Sequence, residues 1–293
     1  MARYIPVLNR RQAVRALAAA GVLASRSRGL LAAPAADASR VKQSVSRWPY
    51  ARVPLAEFCR RAGQIGCAGI DLLFPDEWTV ARDAGMTVSM GYASRREKFI
   101  ENGFNDPAHH AMLLAELKRA LPLAARARVP NIIAMFGNRI PGMDDAAAVA
   151  NCVAGLSRIA PLAEQEGVTV CVELLNSKVN HPGYQGDHTA FGAAVMKGVH
   201  SPRVKLLYDI YHMQIMEGDV IRTIRANIEW IGHFHTGGVP GRHEIDDTQE
   251  LNYRAIAMTL RDLRFPGYLA HEFEPTRADP FDSLAEAYQI CNV

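Results

Sequence analysis

Eight times after residue 41, a short apolar run is followed by a longer segment with helical periodicity or a helix-start signal. The runs span residues 43–48, 69–73, 87–91, 131–136, 169–175, 204–210, 230–235 and 268–273. The clearest helical segments between them are 54–65, 107–128, 144–165, 188–197, 218–228 and 248–263. Several runs are apolar along their whole length, as strands are when both faces of a parallel sheet are covered. Eight such units in the 258 residues that follow the first 35 predict a (β/α)8 TIM barrel, a single domain over 36–293. A doubly wound open sheet is the other architecture that this alternation builds. No GxGxxG follows any of the runs, so the usual cofactor signature of that fold is missing.

Residues 1–35 have a different character. They hold six arginines and no acid, which leaves 27 basic against 30 acidic side chains in the rest, a net charge of −3. A mildly acidic body lacks the basic footprint that phosphate neutralisation requires, which excludes nucleic acid as a partner. The longest uninterrupted apolar stretch, 16–24, is less than half of the roughly 20 residues needed to cross a bilayer, which excludes stable membrane insertion. Arg10-Arg11, the alanine-rich stretch after them and Ala33-Pro34-Ala35 follow the order of a twin-arginine export signal with a small-x-small cleavage site. The expectation is a periplasmic or exported protein; without a working leader it is cytoplasmic. Five cysteines without a CxxC pair form no disulfide framework and no zinc knuckle, and read as small buried hydrophobes.

In a barrel the chemistry sits at the C-terminal ends of the strands, so the residues ending each run matter most. The fifth run carries Glu173 inside an apolar stretch, and the sixth ends on Asp209. The seventh places His233 and His235 on one face by alternation, and the eighth brings His271, Glu272 and Glu274. An isolated buried carboxylate costs several kcal/mol, so such acids must be paired, protonated or metal-bound. Three carboxylates and an imidazole converging on one mouth suit one divalent ion, Mn²⁺ or Mg²⁺ first and Co²⁺ or Zn²⁺ next. Such a site takes a small-molecule substrate, and the sequence leaves both a monomer and a homo-oligomer open.

Three longer runs carry a family resemblance: ELLNSKVNHPGYQ over 173–185, KLLYDIYHMQ over 205–214 and GHFHTGGVPGRHE over 232–244, with QELNY at 249–253. They resemble the hydroxypyruvate isomerase branch of the xylose-isomerase-like TIM barrels. The resemblance implies one divalent ion held by Glu173, Asp209, His235 and Glu272, with Glu173 and Glu272 as the proton-transferring pair. It also implies that His212 and Arg242 contact substrate. The last strand aligns Glu272 with the family acid and leaves Glu274 behind the site or on the surface. The activity implied is a keto-aldol isomerisation of a small hydroxycarbonyl compound, hydroxypyruvate to tartronate semialdehyde. The alternative is a ketose 3-epimerase or another sugar isomerase of the same barrel, and an imidazole at 235 is closer to the epimerases.

Two further residues are candidates for the substrate pocket: Trp48, which ends the first run as core or as pocket wall, and His181, in the loop after the fifth. His233 reads first as barrel packing, Met213 and Met216 as packing, His109-His110 as a solvated pair, and Arg95 to Lys98 as a solvated charge run. Two functions of other classes remain in view. A DNA-repair endonuclease on this barrel needs several zinc ions, more strand-end histidines and a cationic groove. An exported carbohydrate-binding barrel without turnover has no need of two embedded glutamates.

Overall fold

The computed structural model describes residues 40–293; the leader, its paired arginines and its cleavage pattern lie outside the described residues. Eight strands form one parallel sheet: Lys42–Ser46 (β1), Gly69–Asp71 (β2), Thr87–Val88 (β3), Asn131–Met135 (β4), Thr169–Leu174 (β5), Val204–Asp209 (β6), Ile231–Thr236 (β7) and Tyr268–His271 (β8). Their hydrogen-bonded order is β3-β2-β1-β8-β7-β6-β5-β4, so the sheet curls round and its ends are β3 and β4. Gly91, just past β3, spans that seam: its N–H donates to Asn131 O at 2.9 Å and its carbonyl accepts from Ile133 N at 3.0 Å. A side chain is excluded there, because a Cβ on Gly91 would stand 2.7 Å from the Trp78 ring. All eight predicted strands are present, most of them shortened by a residue or more.

Helices link the strands: Leu55–Ile65 (α1), Trp78–Asp83 (α2), Pro107–Ala127 (α3), Asp145–Ser157 (α4), Ala160–Glu166 (α5), Thr189–Val199 (α6), Ile210–Met216 (α7), Val220–Asn227 (α8), Tyr253–Asp262 (α9) and Pro280–Cys291 (α10). The helix expected over 144–165 is two, bent by 42°. Pro161 sits in the first turn of α5, where its missing N–H and fixed φ suit a helix start and cannot continue α4. Among the described residues no single helix is long and apolar enough to cross a membrane. The five cysteines are free and buried, as expected.

Two surface readings are corrected. His110 is buried on α3 with Nε2 2.9 Å from Phe104 O, because it lies on the face that α3 turns inward. Arg96 is likewise no free surface charge: its Nε lies 3.1 Å from Glu116 Oε2, with both side chains largely covered. Arg95 stays exposed, stacked over the Phe74 ring at 3.8 Å and paired with Asp76.

Candidate active site and metal centre

The C-terminal ends of β5 to β8 bring four side chains to one point. Glu173 is the fifth residue of β5, and Asp209 ends β6 opposite His235 of β7 in the parallel register. Glu272 follows β8 directly, and its N–H still reaches Thr236 O at 3.1 Å, which continues the ladder one residue past the strand. His235 Nδ1 lies 2.7 Å from Glu272 Oε2, 3.1 Å from Glu173 Oε1 and 3.9 Å from Asp209 Oδ2. One donor atom from each of the four residues falls within 4.8 Å of all the others. All four are buried.

Asp209 has two tasks. Its Oδ1 accepts from the N–H of His212 at 3.1 Å and so caps α7, while Oδ2 faces the cluster. The cap also places His212. The ring of His212 accepts the backbone N–H of Asn176 at Nδ1, 3.1 Å away, so the proton of the neutral imidazole sits on Nε2. Burial first, then Arg242 and two neighbouring imidazoles, hold His212 well below the usual histidine range. Its Nε2 is 3.6 Å from Asp209 Oδ2 and, although fully buried, has no hydrogen-bond partner.

Arg242 enters from the loop after β7, which contains a cis Val239–Pro240 bond. Its backbone is in the left-handed region at φ 61°, held by its N–H on Gly238 O at 2.8 Å and its carbonyl under Glu274 N at 2.7 Å. Nη2 lies 2.6 Å from Glu272 Oε2 and 3.4 Å from Asp209 Oδ2. The guanidinium lies between the rings of Trp48 and Tyr211, at 5.4 and 5.3 Å. Trp48 is on the rim, 38% exposed, and its indole N–H donates to Glu272 Oε1 at 2.6 Å. It is therefore a wall of the site rather than core.

The acids outnumber the cations near them. Burial pushes Glu173 up, and burial pushes Asp209 up to about 7 with Arg242 opposing. Burial acts on Glu272 too, but His235 and Arg242 beside it hold it down to about 2. Against its own burial, His235 is held well above the imidazole range by Glu272, Asp71 and Glu173. Two carboxylates that resist ionisation, and an imidazole drawn above its usual range by the acids around it, mark a site short of positive charge. Three carboxylates and one imidazole fit a divalent ion of the Mn²⁺ or Mg²⁺ type.

Residues 60–290 match the xylose isomerase-like TIM barrel family. The chain belongs to that family. Among its curated relatives is the 2-oxo-tetronate isomerase of Cupriavidus necator, 34% identical over 58% of this chain. The chain spans 64% of that relative's length, just under two thirds. A human protein provisionally named hydroxypyruvate isomerase is 29% identical over 77% of this chain and 86% of its own. Among solved structures, a D-psicose 3-epimerase in the presence of D-fructose superposes with a TM-score of 0.69 at 19% identity, covering 85% of this chain and 99% of that one. At that identity the likeness shows the shared barrel.

In this xylose isomerase-like barrel the residues expected from sequence divide into groups. Glu173, Asp209, His235 and Glu272 meet at one point; His212, Arg242 and Trp48 line it. His181 stands one layer out, half-buried, with its ring 5.3 Å from that of His212. Glu274 is exposed and touches Arg242 only through its backbone. Two residues at the site escaped the sequence reading. Asp71 ends β2 and lies beneath His235, and Tyr92 is close enough for Glu272 and Glu173 to join burial in raising its phenol above the ordinary range. The signal for Asp71 was present: an acid within an apolar run, as at Glu173.

Proposed function

We propose that the chain is a divalent-metal-dependent keto-aldol isomerase that converts hydroxypyruvate to tartronate semialdehyde. The observation that carries this reading is the convergence of Glu173 and Glu272 on His235 Nδ1, at 3.1 and 2.7 Å, with Arg242 bound to one of the two acids. The isomerisation removes a proton from C3 and returns one to C2 through an enediolate, while the hydroxyl proton on O3 passes to O2. Of Glu173 and Glu272, one accepts the C3 proton and the other supplies the C2 proton, general acid–base work that needs two carboxyl groups held apart. The His212 Nε2–H, without another partner, is directed at the substrate oxygen on which negative charge develops. Arg242 has N–H donors beyond Nη2 and pairs the substrate carboxylate. Trp48 and Tyr211, flanking the guanidinium, restrict where it can point. Glu173, Asp209, His235 and Glu272 would hold the metal ion, which when bound supplies Lewis-acid stabilisation of the developing charge.

A second reading, a ketose 3-epimerase, draws on one specific feature. A cavity of about 400 Å³, lined by Phe74, Tyr92 and Phe99 together with Arg95, Arg96 and Glu97, lies beside the site at Tyr92 and gives room for a longer carbon chain. Hydroxypyruvate and D-fructose, each incubated in deuterated water with Mg²⁺-loaded protein, separate the two readings by mass spectrometry. Isomerised hydroxypyruvate carrying deuterium at C2 is the expected result. Turnover without deuterium indicates hydride transfer or a fully shielded proton shuttle and removes the exchange-competent acid pair, and deuterium exchange in the ketose alone moves the assignment to the epimerase. Arg242→Lys keeps the charge but loses the planar fork, so kcat/KM for hydroxypyruvate should fall about 10- to 100-fold while metal stays bound.

A further inference from the structure

Asp71 is fully buried and away from the mouth, yet it is tied to the site more tightly than any other residue of β1 to β3. Its Oδ2 lies 2.9 Å from His235 Nε2. Its Oδ1 accepts from Ser89 Oγ at 2.6 Å and lies 3.1 Å from His233 Nε2. The Ser89 hydrogen bond thus occupies one oxygen and leaves the other to His235, with the His233 ring packed close by. An ionised carboxylate only accepts, so the His235 nitrogen facing it must carry a hydrogen. A neutral imidazole has one such hydrogen. With Nε2 protonated, the lone pair is on Nδ1, the atom that faces Glu173, Asp209 and Glu272.

We propose that Asp71 is a positioning residue: held by Ser89, it fixes the tautomer and ring orientation of His235 so that Nδ1 is the nitrogen offered to the metal ion. This rests on the reading of Glu173, Asp209, His235 and Glu272 as a metal site. A carboxylate behind a ligating imidazole raises the basicity of the ligand, and loss of such a partner costs about 10- to 100-fold in metal affinity.

The test is a double-mutant cycle read by Mn²⁺ titration of the full chain, with thermal unfolding followed on each variant. D71N should weaken Mn²⁺ binding by about 10- to 100-fold. In an H235A background the same substitution should cost nothing further, because the imidazole through which Asp71 acts is gone. Equal Mn²⁺ affinity in D71N and the unaltered chain overturns the proposal, and so does an equal loss in both backgrounds, which is what a purely structural role for Asp71 predicts. If the unaltered chain takes up no Mn²⁺, the metal reading itself fails and takes this inference with it, an outcome distinct from the other two. Should D71N not fold, ¹⁵N-histidine spectra of the unaltered Mg²⁺-loaded chain decide. A protonated Nε2 and a proton-free Nδ1 on His235 are expected, and a proton-free Nε2 overturns the assignment.

Discussion

The two halves of this barrel are built differently. From β5 to β7 the strands run six residues each, whereas β2 and β3 have three and two. The long half releases its chain only at the mouth, so Glu173, Asp209 and His235 are still in the hydrogen-bonded ladder where they meet. The short half leaves the sheet early and sends rings toward the mouth from a single 3-10 turn, Trp48, and from loops, Phe74, Tyr92 and Phe99. Beneath them it buries Ser44, Ser46, Asp71 and Ser89, small or braced polar groups. Groups that must be placed to a fraction of an ångström sit on paired backbone, while groups that shape and cover the pocket sit on loops.

The largest effect should come from the long half. Glu173→Gln and Glu272→Gln each keep the shape of the side chain but cannot exchange a proton, so turnover of hydroxypyruvate should fall about 10²- to 10⁴-fold. Metal content must be measured on both, since a variant that has lost its ion says nothing of proton transfer. A wild-type rate in either would place the chemistry elsewhere and erase the contrast between the halves. A smaller effect is expected from the short half's one direct link to the acids. Trp48→Phe keeps an aromatic wall and removes the 2.6 Å N–H bond to Glu272, so kcat should drop about 10-fold with metal content unchanged. A loss as deep as that of the glutamine variants would mean that the loop-borne half takes part in the chemistry.

The smallest effect lies in the loops that follow the long strands. Glu244 accepts from Thr276 N at 2.6 Å, Ser283 Oγ at 2.7 Å and Thr276 Oγ1 at 3.0 Å, tying the loop after β7 to the start of α10. Burial would raise its pKa, but these donors outweigh it and hold the carboxyl down to about 2, from an ordinary 4.5. The folded-state value is depressed, so the carboxylate contributes stability above pH 4.5 and loses that contribution as pH falls toward 2. Glu244→Gln should therefore cost on the order of 1 kcal/mol near neutrality, with the gap closing in acid. Melting curves of both proteins at pH 7 and pH 3 measure it; a gap that stays constant would show that the charge of Glu244 is not what braces the loop.

The sequence carried the long half more legibly than the short one, and the reason is physical. Runs such as those of β5 and β6 are apolar on both faces, so a polar residue within them is conspicuous, and Glu173 and Asp209 stood out on that ground. In β2 the run is short, five residues in the sequence and three in the sheet, so Asp71 within it is a weaker signal than Glu173 in its longer one. Its importance comes from His235 across the barrel, 164 positions away, and no local pattern encodes that distance. The helix α7 was missed for a related reason: Asp209 was read as a strand-end acid, which it is, but the same carboxylate is also a helix cap. Helix α10 had a readable start in Asp279 and Pro280, cap and first-turn proline. Trp48 could not be assigned from sequence, because core and rim ask for the same ring and only the bond to Glu272 separates them.

The burial of the cysteines has a consequence for where such a fold can work. Burial raises Cys59 to about 11 and Cys67 and Cys291 to about 12, and pushes Cys152 and Cys171 up as well. Disulfide exchange and oxidation both proceed through the thiolate, which these sites suppress while also denying access to it. The barrel therefore closes without an oxidation step and keeps one covalent structure in reducing and oxidising surroundings alike.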